Sequence, residues 1–148
     1  MKHIESAHQT QVVEWSRWAF KANPVRYPHL DMLHCSLNGV KLTKTQAVIA
    51  KSQGMLSGVP DLFLPVPVGK YHGLYIEMKS EKGRVTENQE WFLSNAEGLG
   101  YKTVVCYSAK EAISAIQAYY AQETIKDTTQ DLLCLKTQNR AYSEGCCE

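Results

Sequence analysis

The sequence predicts an α/β protein, a mixed β-sheet flanked by helices, and three observations predict it. Apolar residues recur at helical spacing in several segments, two short apolar runs flank a turn at Gly69, and a third apolar run, Tyr101 to Tyr107, stands between two helical patterns. At 148 residues, with 44% hydrophobic and 21% charged, the chain supports one domain with a real core. We assign residues 1–123 to that domain and 124–148 to a partly flexible C-terminal extension.

The elements follow in order. Glu5 to about Phe20 reads as an amphipathic helix with Val12, Val13, Trp15, Trp18 and Ala19 as its apolar positions, ended by Asn23-Pro24. Met32 to Leu37 reads as a strand closed by the turn dipeptide Asn38-Gly39, and a helix follows from about Thr43 to Gln53. Leu62 to Val66 and Gly73 to Ile76 read as the two strands of a hairpin. After the polar loop Ser80 to Arg84, Thr86 begins a helix lasting to about Glu97, with Trp91, Phe92 and Leu93 as anchors and Gln89 at capping-box spacing from Thr86. Gly98 and Gly100 end it before the strand at Tyr101 to Tyr107. Ser108 caps a last helix to about Ala121, which turns Ala112, Ile113, Ile116 and Tyr119 inward. Beyond Glu123 the pattern weakens, although Leu132 to Leu135 could dock on the core.

Composition narrows the function classes. The longest apolar runs are far short of a membrane span, and Met1 to Glu5 lacks the apolar core of a secretory signal, so a cytoplasmic protein is expected. Cys35, Cys106, Cys134, Cys146 and Cys147 show no paired metal-ligand spacing, and Cys35 and Cys106 read as buried thiols. Residues 1–110 hold 13 Lys+Arg against 9 Asp+Glu, a net +4, whereas residues 111–148 hold 3 against 6, a net −3. The positive excess therefore sits with the candidate site, where Lys41, Lys44, Lys51, Lys79, Lys82 and Arg84 are available to phosphates. No Gly-rich phosphate-cradling loop is present, so no nucleotide cofactor is expected.

The chemistry-bearing pattern is Asp61 with Glu77-Met78-Lys79. If the chain reverses near Gly69, antiparallel partners have numbers summing to about 138, and Asp61 falls opposite Glu77. Lys79, two residues on, shares a face with Glu77, while Met78 points away into apolar packing. Two anionic oxygen ligands with an ammonium beside them suit a hard divalent cation and an activated water. A Glu-x-Lys on an exposed strand arises by chance often enough to stand as the alternative, but apolar neighbours from Leu62 to Leu64 and from Leu74 to Ile76 argue that these charges are buried and in need of partners.

Several spaced motifs in order resemble the virus-type replication-repair nuclease (VRR-Nuc) family of the PD-(D/E)xK restriction-endonuclease-like superfamily. They are Glu5 with Gln9, Asn38-Gly39, Gly58-Val59-Pro60-Asp61-Leu62, Ile76-Glu77-Met78-Lys79, and Gln89 with Trp91, within residues 5 to about 120. The resemblance implies a restriction-endonuclease-like core in which Asp61, Glu77 and the Met78 carbonyl bind Mg²⁺ or Mn²⁺, and Lys79 orients or deprotonates the attacking water. Glu5 resembles the helix glutamate that completes the metal shell, with Glu14 as its competitor. Gln89 resembles the glutamine beside the lysine, and the reading of it as a helix cap alone stays open. The segment before Asn38 lacks the proline often seen there, and Lys41 stands in place of a more arginine-rich stretch; both bear on substrate grip.

Expected, then, is a metal-dependent DNA endonuclease acting on branched DNA in the manner of a junction resolvase, in replication, recombination or repair. Asn38, Lys41, Lys44, Lys82 and Arg84 are the candidate DNA contacts. A homodimer would present two sites to opposed strands, with Trp15, Trp18, Tyr119 and Tyr120 as candidate contact residues unless the core takes them. Whether one or two ions bind stays open, as does the alternative of a catalytically weak DNA-binding subunit.

Overall fold

A computed structural model describes residues 2–36 and 42–122. Four strands form one sheet in the order β1 (His34–Cys35), β2 (Leu62–Leu64), β3 (Leu74–Met78) and β4 (Lys102–Cys106). β1, β2 and β3 are antiparallel neighbours and β4 joins β3 in parallel, so the sheet is mixed, as expected. The helices are α1 (Lys2–Ala22), α2 (Lys44–Ser52), α3 (Glu87–Gly98) and α4 (Ala109–Ala121). Among the described residues no helix is long and apolar enough to cross a membrane.

The pleat of β3 decides the layers. Leu74, Ile76 and Met78 point to one face, where α1 and α4 pack over them; Val12 and Ala19 of α1 and Ala112, Ile116 and Tyr119 of α4 complete this core. Tyr119 donates its hydroxyl to Val66 O at 2.8 Å and Tyr120 donates to Pro28 O at 2.8 Å, so these two rings are buried with their polar ends satisfied. The alternate residues Tyr75 and Glu77 point to the other face, where α3 crosses β3 and β4: Phe92 meets Tyr75 edge-on and Thr103 donates to Glu97.

Local sequence explains the boundaries. Ser108 accepts from Glu111 N at the start of α4, and Thr43 and Gln46 form a reciprocal box at the start of α2, with Gln46 N donating to Thr43 Oγ1 and Thr43 N donating to Gln46 Oε1. The hairpin turns through Gly69, whose φ of 60° is costly for any residue but glycine, between Val68 and Tyr71, which exchange both backbone hydrogen bonds. Val68 with Tyr71 sums to 139 whereas Leu64 with Leu74 sums to 138, so residues 65–67, two of them proline, absorb one extra residue as a bulge.

Some expectations need correction. The predicted strand at Met32 is cut short: Leu30–Met32 is a 3₁₀ turn entered through His29 at φ 57°, because Arg17 donates to the carbonyls of Asp31 and Leu33 and folds the chain against α1. Cys35, read as buried, is exposed on the two-residue edge strand, while Cys106 is buried. Trp18 and Trp91 are 66% and 57% exposed and so are not core residues; of α3, Ala96 alone is buried. Asn38-Gly39, Lys41 and residues 123–148, with the proposed docking segment Leu132 to Leu135, lie outside the described residues.

Candidate active site

The hairpin gathers the charged residues at one end of the sheet. Its register pairs Leu62 with Ile76, so one further step sets Asp61 beside Glu77. Asp61 lies just before β2, and its Oδ2 accepts from Met78 N at 2.8 Å, which ties the carboxylate across the hairpin. Glu77, 1% exposed, takes Lys79 Nζ at 2.8 Å on Oε1, which also accepts from Gln89 Nε2. Its second oxygen, Oε2, is buried without a hydrogen-bond partner. A buried carboxylate oxygen left unpaired is costly, so this atom is a vacant acceptor pointing to a cationic or donor ligand.

Gln89 does two things at once. Its Oε1 accepts from Thr86 N at 3.0 Å and Thr86 Oγ1 at 3.1 Å, which starts α3, and from Lys79 Nζ at 3.0 Å. The helix cap and the clamp on Lys79 and Glu77 are one side chain. From α1, Glu5 Oε1 accepts from Ser80 N at 2.8 Å and so reaches the end of β3. Glu14 is exposed. Nine residues at about 100° each place it roughly half a turn round from Glu5, on the opposite side of α1.

Burial and charge shift two carboxyls. Glu77 is raised to about 7: burial is the main cause, the hydrogen bond from Lys79 opposes it, and the negative charge of Asp61 adds to it. Asp61 is raised by burial, with the Met78 N–H pulling the other way. A pocket of about 530 Å³ opens over these groups, lined by Glu5, Asp61, Glu77 and Lys79 together with Leu42, Ala47, Lys51 and Met55. Among the described residues no three His, Cys, Asp or Glu side chains converge as a complete cation cage.

Gly58 shapes this pocket. Its φ is +87°, and a Cβ there would sit 2.3 Å from Asn88 O in the first turn of α3. The neighbouring Ser57 Oγ accepts from Asn88 Nδ2 at 2.9 Å, so the segment before Asp61 is pressed against the helix that carries Gln89. Gly58→Ala is expected to destabilise by at least about 2 kcal/mol, from strain and clash together, and to lower the melting temperature by about 5 °C or more. A thermal melt of the purified variant checks this.

Of the candidate DNA contacts, Lys44, Lys82 and Arg84 are exposed, Lys44 at the start of α2 and the other two in the loop after Lys79; Asn38 and Lys41 lie outside the described residues. One residue beside the site, Ser36, was not named from the sequence, and another, Lys51, was not singled out. Ser36 N donates to Asp61 O at 2.9 Å, which puts Ser36 in the cross-strand row of Asp61 and Glu77, and its buried hydroxyl has no partner. Extending the hairpin register to the edge strand would have found it. Lys51 was noted only as one of several cations, although its place four residues after Ala47 on a helix without acidic residues was readable.

Comparisons with known proteins bear on the family and the fold. No curated protein matches the chain. A solved structure named "VRR_NUC domain protein" is similar over 80% of this chain and 89% of its own, with 29% sequence identity and a TM-score of 0.65. The family model of the VRR-NUC domain matches residues 5–110, a span that runs from Glu5 through Asp61, Glu77, Lys79 and Gln89, and the chain accordingly belongs to the VRR-NUC nuclease family.

Proposed function

We propose that the protein is a divalent-metal-dependent deoxyribonuclease that hydrolyses phosphodiester bonds in branched DNA. The observation that carries this reading is the buried, unpartnered Oε2 of Glu77, a residue that lines one pocket with Asp61 and Lys79. The residues fit a hard cation: Asp61 and Glu77 supply anionic oxygens, and the Met78 carbonyl would add a neutral one. Glu5 would join directly, by releasing Ser80 N–H, or through water. When bound, Mg²⁺ or Mn²⁺ polarises the scissile phosphate and makes a coordinated water more acidic.

The remaining work falls to the chain's own groups. Lys79, held by Glu77 and Gln89, offers a fixed compact charge to the attacking water and to the phosphate as negative charge grows on it. Gln89 is a positioning residue, since its carboxamide fixes both Lys79 and Glu77. Lys44, Lys82 and Arg84, with Asn38 and Lys41, would meet the DNA backbone. Two copies related by a two-fold axis would address opposed strands of a four-way junction, with exposed Trp18 as a candidate contact, since Tyr119 and Tyr120 are buried in the core.

The test is a cleavage assay on linear, flapped and four-way DNA with Mg²⁺ or Mn²⁺, beside light scattering. Expected are metal-dependent cleavage, preference for the branched substrates, and a dimer at micromolar concentration. DNA binding without cleavage under any divalent metal would instead favour a catalytically weak binding subunit. Equal cleavage of linear and branched DNA by a monomer would remove the junction reading and leave the nuclease.

A further inference from the structure

The helix α2 is unusual in that none of its residues is buried. Val48 and Ile49 are 69% and 49% exposed, so no apolar face holds it to the core. Nine residues are too few for a helix to be stable in water on propensity alone, and the Thr43–Gln46 box supplies only part of what is missing. A segment that spends so little on the core is shaped by something else, and its position indicates what.

Ala47 and Lys51, one turn apart, line the same pocket as Asp61, Glu77 and Lys79. Lys44 falls on the same side of the helix one turn before Ala47. The sequence Lys-Thr-Gln-Ala-Val-Ile-Ala-Lys-Ser contains no acidic residue, so the two lysines have no competing partner within the helix. Between them stands a methyl group, which lets a backbone come close. The pocket thus takes its carboxylates from the hairpin and α1 and a cation, Lys51, from α2, while Lys44 stands outside the lining with about 10 Å of helix rise between it and Lys51.

From this we infer that α2 is a phosphate-gripping wall: Lys51, with Lys44 a little under two turns away, holds the sugar-phosphate backbone on either side of the phosphodiester that lies at Asp61 and Glu77. The inference rests on the nuclease reading for the identity of the strand. It adds the element that grips that strand and the residue, Lys51, that does so from inside the pocket. The grip is electrostatic and therefore independent of base sequence.

Binding in the absence of divalent metal tests it separately from catalysis. The full-length protein, Lys51→Ala, Lys44→Ala and the double variant would be titrated against labelled linear and four-way DNA by fluorescence anisotropy in EDTA, across a salt series. Lys70→Ala, at the far end of the hairpin, is the control. Expected is a loss of about 5- to 10-fold in affinity for Lys51→Ala on both DNAs, with the log–log salt slope falling by about 1 per lysine removed. Lys51→Arg should restore both. Alanine favours the helix more than lysine does, so α2 should persist in the variants, and circular dichroism would check it. Unchanged affinity and slope in Lys51→Ala, or an equal loss in Lys70→Ala, would overturn the inference. Failure of the nuclease reading would appear differently, as wild-type DNA binding unaccompanied by cleavage when Mg²⁺ or Mn²⁺ is restored.

Discussion

Asp61→Asn is expected to reduce metal-dependent cleavage by about 10³-fold or more while leaving the fold and most DNA affinity intact. The reason lies in how Asp61 is held. Its Oδ2 accepts from Met78 N, and an asparagine carbonyl can keep that bond. The amide nitrogen then occupies the place of Oδ1, turning an anionic acceptor into a donor aimed at the pocket. A cation held there would lose one charged ligand and meet a like partial charge instead. Glu77→Gln should be as damaging, because its Oε1 can still serve Lys79 and Gln89 while the vacant oxygen becomes an NH₂. Single-turnover cleavage at saturating DNA, over a Mg²⁺ titration, measures both. Wild-type turnover in either variant at any metal concentration would detach these carboxylates from the chemistry.

The hairpin that carries both carboxylates was legible because two short apolar runs straddle Gly69, and a sheet's period of two leaves few registers open. Leu62 pairs with Ile76, a sum of 138, as a reversal near Gly69 predicts, although the turn pair Val68 with Tyr71 sums to 139 and the bulge makes up the difference. The bulge at residues 65–67 was not legible, since it depends on how two prolines are excused from pairing. Burial was readable only where periodicity was strong. Ala112, Ile116 and Tyr119 repeat at helical spacing and are buried, whereas Trp18 and Trp91 were counted as apolar by type and prove exposed. Which face of a helix meets the sheet is a tertiary fact.

The same limit applies around the site. Glu5 meets Ser80 across 75 positions of sequence, and no local spacing announces it; only the family resemblance named Glu5 beforehand. Gln89 looked like a cap or a site residue because either reading uses the same spacing from Thr86. In the folded chain the cap holds Gln89 where its other contacts reach Lys79 and Glu77, so the two readings describe one arrangement. A capping box at the start of α3 thereby sets the position of a lysine ten residues earlier. Local structure and site geometry are built from the same bonds.

A second large effect is expected in the metal-free protein, where Glu77→Gln should stabilise the fold at pH 8 by about 3 kcal/mol, or on the order of 5–10 °C in melting temperature. Glu77 ionises near 7 in the folded chain against an ordinary value of 4.5, with burial as the chief cause. Below pH 4.5 the group is protonated in both states and costs nothing. As pH rises from 4.5 to 7 the unfolded chain gives up its proton while the folded chain retains it, so the unfolded state gains and stability falls. Above 7 the loss is complete and constant. Glutamine, neutral at every pH, escapes that loss, and the gap between wild type and variant should open across this window and then stay level. Asp61, also raised by burial, lowers the stability of both proteins as it ionises, and the loss of the Glu77 charge in the variant eases that ionisation, which widens the gap in the same direction. Denaturant titrations between pH 4 and 9 in EDTA measure the gap, and a gap that is flat in pH would contradict a strained Glu77 carboxylate. Adding Mg²⁺ or Mn²⁺ at pH 8 should then recover stability in the wild type and little in the variant, because a ligand that binds only the folded state stabilises it by mass action. The group that destabilises the empty fold would in that case be the group that draws the cation in.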